Sequence, residues 1–166
     1  PRDRERFVWT ETFGCQMNVY DTERMLERLE GAGYATTDDP SLADLILLNT
    51  CSVRDKSEHK MVSMLGTFRK LKEHNPDVVI AVAGCVATQE GDRLLGKVPH
   101  LDLVLGPDQV GEIPALVRSV RDGRQAEDEA LARVVDTDFI HRKRYSFVEA
   151  QPPADGRVTS FITVMK

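Results

Sequence analysis

Apolar residues follow two alternating rhythms along the first 120 positions: short unbroken runs, and longer stretches with helical spacing. Residues 6–12 alternate in the manner of a strand. Residues 20–30 (YDTERMLERLE) set Met25, Leu26 and Leu29 on one helical face, and Gly31 and Gly33 supply the stop. Residues 43–48 (ADLILL) form a run of the kind buried on both faces of a parallel sheet. Ser52 and Asp55 then resemble a capping box with Asp in place of Glu. The helix they open carries Met61, Met64, Leu65, Phe68 and Leu71 and ends near Asn75-Pro76; this stripe reads as core. Residues 78–83 predict a third strand, 88–95 a short helix and 101–105 a fourth strand. Pro107 and Asp108 open a helix reaching about Arg121. Repeated β-α units of this kind predict an α/β fold, a mostly parallel sheet with helices on both faces, flavodoxin- or Rossmann-like in three layers.

The rhythm changes after Asp122-Gly123. Residues 123–135 are polar and charged, and 150–157 (AQPPADGR) are rich in Pro and Gly, which predicts an irregular connector rather than another β-α unit. Residues 158–165 (VTSFITVM) are strand-like again. The expected organisation is an α/β domain over 1–122, a connector over 123–157, and over 158–166 the first strand of a further domain.

Composition narrows the class. Apolar and charged fractions of 41% and 30% in 166 residues are those of a soluble globular protein. No apolar run approaches the roughly 20 residues that span a bilayer, so no membrane role is expected. The segment PRDRERFVWT lacks the apolar stretch of a secretory signal. A net charge of −5 exerts no global attraction on nucleic acid. The basic run at 141–145 (HRKRY) is a local exception, read first as a solvated edge and second as a phosphate contact. Three cysteines, an odd number, argue against a disulfide framework and for the cytosol.

Those cysteines carry the candidate chemistry. Cys15, Cys51 and Cys85 follow the first, second and third predicted strands, separated by 36 and 34 residues (15 to 51, 51 to 85). The carboxyl ends of parallel strands share one edge, where ligands bind. If the three strands are neighbours, the sulfurs converge there, each just before a helix N-terminus that favours thiolate. Gly14 and Gly84 permit sharp turns beside two of them. The plainer reading is three unrelated core cysteines. Zinc would call for a fourth protein ligand. None is obvious, because His59 and His74 fall within or at the end of the second helix and are expected to face solvent. Three thiolates with an open fourth position suit a [4Fe–4S] cluster whose remaining iron is free. Residues 91–97 (GDRLLGK) approximate a phosphate loop, but Val98 replaces the Ser or Thr and the segment lies in a predicted helix, so this reading is rejected.

TFGCQMN, LLNTCSVR and AGCVATQEG, in this order and spacing, resemble the N-terminal domain of the radical S-adenosylmethionine methylthiotransferases. Gln16-Met17-Asn18 and the SVR after Cys51 are most similar to the MiaB-type branch, which makes 2-methylthio-N6-isopentenyladenosine beside the anticodon of tRNA. The resemblance implies that Cys15, Cys51 and Cys85 hold an auxiliary [4Fe–4S] cluster. It implies a second [4Fe–4S] cluster and S-adenosylmethionine, bound through a C-x-x-x-C-x-x-C motif that this chain lacks and is expected to stop just short of. Its implied partners are tRNA, met mainly through other domains, and sulfur and electron donors. Gln16 and Asn18 could hydrogen-bond a base or the cluster sulfurs; capping the first helix is the other reading of Asn18. No catalytic residue is assigned. On this reading the chain alone binds a cluster without turnover. A flavodoxin-like ligand- or partner-binding module, and a methylthiotransferase for another tRNA base or a ribosomal protein, remain open beside it.

Overall fold

The computed structural model describes residues 5–51, 55–128 and 132–137, with 55–58 as backbone alone. The chain runs β1 (Arg6–Phe13), α1 (Gln16–Glu30), β2 (Tyr34–Thr36), a 3-10 turn (Pro40–Leu42), β3 (Leu45–Thr50) and α2 (Asp55–His74). It continues through β4 (Val79–Ala83), α3 (Cys85–Lys97), β5 (Leu103–Leu105), a 3-10 turn (Pro107–Glu112), α4 (Ile113–Gln125) and β6 (Val134–Asp136). The six strands form one sheet in the order β2-β1-β3-β4-β5-β6, and every pairing is parallel. Its first five strands follow the flavodoxin-like order, whose switch point lies between β1 and β3. The expected α/β class and three layers are borne out.

Side-chain alternation sorts the core into two faces. Leu45 and Leu47 of β3 join Met25 and Leu29 of α1 and Ile113, Val117 and Val120 of α4. Ile46 and Leu48, one residue out of phase, join Met61, Leu65 and Phe68 of α2 and Val86 and Leu94 of α3. Both faces of β3 and β4 are buried, which is why their sequences are unbroken apolar runs rather than alternating ones.

The short edge strands depart from the expected pattern. β2 has three residues directly after Gly33, whose φ of +85° turns the chain out of α1. β6 ends the polar stretch read as connector, and it pairs with β5. Arg133 holds it there, donating to the carbonyls of Leu95, Val98 and Leu101. Three residues with two adjacent valines are too few for periodicity to register. Helices α1 and α3 also begin earlier than expected, immediately at the cysteine turns, and α3 kinks at Gly91. The basic run 141–145, the strand-like 158–165 and Ser52 lie outside the described residues.

The amino ends of β4 and β5 are tied by a buried charge cluster. Asp102, just ahead of β5, accepts from Lys72 Nζ at 2.7 Å, Arg124 at 2.5 Å and the Ile80 amide at 2.8 Å. Burial pulls the Lys72 pKa below the ordinary lysine range, while the Asp102 carboxylate opposes that shift. Arg124 also donates to the Pro76, Asp77 and Val78 carbonyls, so one helix-end cation secures the loop before β4. Removing one member of such a cluster strands the others' charges. Asp102→Ala is therefore expected to cost about 3–5 kcal/mol in urea unfolding; a loss near zero would mean that the two cations are solvated rather than held.

Candidate metal centre

The three cysteines stand at the opposite, carboxyl edge of the sheet, and the strands before them are adjacent. Phe13 pairs with Thr50 and Asn49 with Ala83, so Gly14 comes beside Cys51 and Gly84, the residue before Cys85, beside Thr50. Cys15 and Cys51 flank the switch point, the crevice where open parallel sheets bind ligands. Cys15 and Cys85 are exposed, whereas Cys51 is buried at 7% exposure. Cys15 precedes the first residue of α1, and Cys85 is itself the first residue of α3. The amide of Asn18 above all, helped by those of Met17 and Cys15 itself, holds the Cys15 pKa below the ordinary thiol value against the opposing effect of burial. The Cys51 side chain is within hydrogen-bonding reach of Cys15 and lowers that pKa further.

Backbone closeness makes this convergence possible. A Cβ on Gly14 would stand 2.5 Å from Asn18 Oδ1 and 2.8 Å from Cys51 Cβ. A Cβ on Gly84 would strike the Thr50 carbonyl and stand 2.5 Å from Asn49 Oδ1, and Gly84 also has φ +98°, a region that side-chain-bearing residues rarely occupy.

Gln16 and Asn18 part company. Gln16 opens α1 and is exposed, free to meet whatever binds at this edge. Asn18 is 3% exposed and its Oδ1 accepts from the Cys15 amide at 3.3 Å, with the Cys15 thiol at 3.4 Å. Its oxygen thus serves the capping reading, accepting from the Cys15 amide and thiol, while its Nδ2 is turned to Asn49 Oδ1. Asn49, 0% exposed at the end of β3, was missed. The only signal for it was a polar residue closing an apolar run, LILLNT. Thr50, also fully buried, leaves its hydroxyl without a hydrogen-bond partner one residue before Cys51. His59 and His74 are exposed, as expected, and residues 91–97 lie inside α3, which removes the phosphate-loop reading.

The donor set at this edge is three cysteine thiols. Among the described residues, no group of three or more His, Cys, Asp or Glu side chains is arranged to hold a single metal ion. Iron–sulfur clusters are held by cysteine thiolates. Three soft thiols, two of them exposed, and an orphaned buried hydroxyl at one edge are suited to such a group.

This is an α/β domain with a flavodoxin-ordered sheet and a cysteine following each of three adjacent strands at its carboxyl edge. Residues 7–106 match the model of the uncharacterized protein family UPF0004, and the chain belongs to that family. It is 47% identical over its full length to a tRNA-2-methylthio-N(6)-dimethylallyladenosine synthase of Anaeromyxobacter sp. (strain K), covering 34% of that protein. Proteins of the same name from Myxococcus xanthus and Geobacter metallireducens are 48% and 46% identical over 93% and 98% of the chain, which covers 32% and 35% of them. The resemblance carried by the three cysteine motifs is thereby borne out. The chain spans about a third of the length of these curated relatives. Among the described residues no helix is long and apolar enough to cross a membrane.

Two measurements probe the edge without metal. Gly84→Ala is expected to destabilise the domain by about 1–3 kcal/mol in chemical denaturation, and unchanged stability would mean that the turn can relax. Cys15 should alkylate with iodoacetamide at a pH midpoint below that of an unfolded cysteine peptide, because its folded pKa is lowered. The same sign makes its contribution to stability present at high pH and lost as pH falls through the folded value.

Proposed function

We propose that this chain is the sulfur-donating domain of a tRNA methylthiotransferase, with Cys15, Cys51 and Cys85 ligating an auxiliary [4Fe–4S] cluster. The observation that carries the reading is the register of β1, β3 and β4, which brings one cysteine to the end of each of three neighbouring strands. The names of the relatives support the substrate, N6-isopentenyladenosine in tRNA, converted to its 2-methylthio derivative. When bound, the cluster would supply an open iron able to carry the sulfur that is transferred.

The chain's own residues bind and orient. Cys51 is the buried leg, anchored by β3. Cys15 and Cys85 are exposed legs at helix N-termini, where backbone amides favour the thiolate needed for ligation. Exposed Gln16 is left to meet the incoming base. The three cysteines are all committed to this edge and none lies in a C-x-x-x-C-x-x-C motif. Radical generation, with S-adenosylmethionine and a second cluster, therefore belongs to residues outside this chain, as does most of the tRNA contact. Residues 1–166 alone hold the cluster without turnover, and sulfur and electron donors complete the system, which operates in the cytoplasm.

Anaerobic reconstitution with ferrous iron and sulfide should load about four irons and four sulfides per chain, and Cys51→Ala should abolish loading. Substantially less than one cluster in the unaltered chain, or full occupancy in Cys51→Ala, refutes the assignment. Tightly bound zinc after oxygen-free purification would favour a structural zinc domain instead. For the substrate, tRNA nucleosides from cells lacking the full-length protein should lose the 2-methylthio group, as read by mass spectrometry.

A further inference from the structure

We infer that the buried amide pair Asn18–Asn49 is a positioning device that locks the three cysteine-bearing turns to one another. The inference rests on the cluster-binding function proposed above. Neither residue is a ligand; both act through the cysteines.

The pair has one self-consistent orientation, and it can be derived link by link. Asn49 Nδ2 lies 2.8 Å from the Asn18 carbonyl, which can only accept, so the nitrogen must point there. Its second hydrogen goes to Thr22 Oγ1 at 3.0 Å, and Thr22 in turn meets Thr12 Oγ1 of β1 at 2.9 Å. Asn49 Oδ1 is thereby turned toward Asn18 and requires a donor, which is Asn18 Nδ2 at 3.2 Å. That fixes Asn18 Oδ1 on the Cys15 amide. Amide oxygen and nitrogen are interchangeable in shape, but here the backbone carbonyl at one end and the backbone N–H at the other set the direction of the chain.

Each cysteine turn meets this chain. Cys15 is bonded to Asn18 directly. Cys51 is two residues beyond Asn49 on β3. Gly84, just before Cys85, comes so close that a Cβ would sit 2.5 Å from Asn49 Oδ1 and 3.2 Å from Asn18 Nδ2. Both asparagines are essentially sealed from water, so breaking one link leaves a buried polar atom unmatched and disturbs the others. Three sulfurs that must meet one rigid group gain most from turns fixed beforehand, because any ordering left until binding weakens it.

The test has a metal-free arm and a loaded arm. In the metal-free chain, amide hydrogen exchange followed by NMR should show protection of the Cys15 N–H falling at least tenfold in Asn49→Ala, although residue 49 does not touch that amide. Asn18→Asp keeps the shape and the capping oxygen but replaces Nδ2 by an acceptor facing Asn49 Oδ1. It should lose the same protection. Full protection in either variant would show that local capping suffices and would overturn the inference. In the loaded arm, cluster release to a chelator should quicken at least tenfold in Asn18→Ala and Asn49→Ala, and by no more in the double variant, because the two act as a unit. Val117→Ala, a core change on α4, controls for general destabilisation and should leave release unchanged. Additive effects, or equal release from Val117→Ala at matched stability, would also overturn the inference. If the unaltered chain takes up no cluster, the proposed function falls, whereas unchanged release in Asn49→Ala with normal loading removes the positioning role alone.

Discussion

Everything at the carboxyl edge depends on how closely three backbone segments approach one another. Strands in a sheet are held about 4.8 Å apart by their hydrogen bonds, and beyond the last bond nothing obliges them to stay together. Here the chains remain in contact past the end of the ladder, because Gly14 and Gly84 present no Cβ to Cys51, Asn49 and the Thr50 carbonyl. The amide pair fills the space that side chains at these glycines would have taken. Sheet, glycines and asparagines thus form one device, and the cysteines are its outermost layer.

The opposite edge is built by a different principle. There the loops are held by charge: Asp102 between Lys72 and Arg124, with Arg124 reaching across to carbonyls ahead of β4. The two ends of the molecule therefore divide the work. Ionic contacts at the amino edge tie together the loops before β4 and β5. At the carboxyl edge the links are neutral side-chain amides, Asn18 and Asn49.

Much of this was legible in the sequence, for reasons that can be traced to particular residues. β3 and β4 are buried on both faces, so LILL and VVIAVA stand out as unbroken runs. The three cysteines stood out because they are chemically rare and recur at the period of a β-α unit. β2 and β6 were not legible, since a three-residue edge strand draws its stability from its neighbour and, for β6, from Arg133, none of which is local in sequence. Asn49 escaped for a related reason. An asparagine at the end of a strand usually signals a turn, and only the packing of α1 across β3 turns it into a buried bridge.

The uneven exposure of the three thiols has a consequence for how this edge ages. An oxidant arriving from solvent meets Cys15 and Cys85, while Cys51 is shielded at 7% exposure. The lowered pKa of Cys15 favours its reactive thiolate. Damage in air should therefore begin as sulfenic acid at the rim, leaving the buried sulfur intact. A reductant acting before the sulfinic stage restores the thiols.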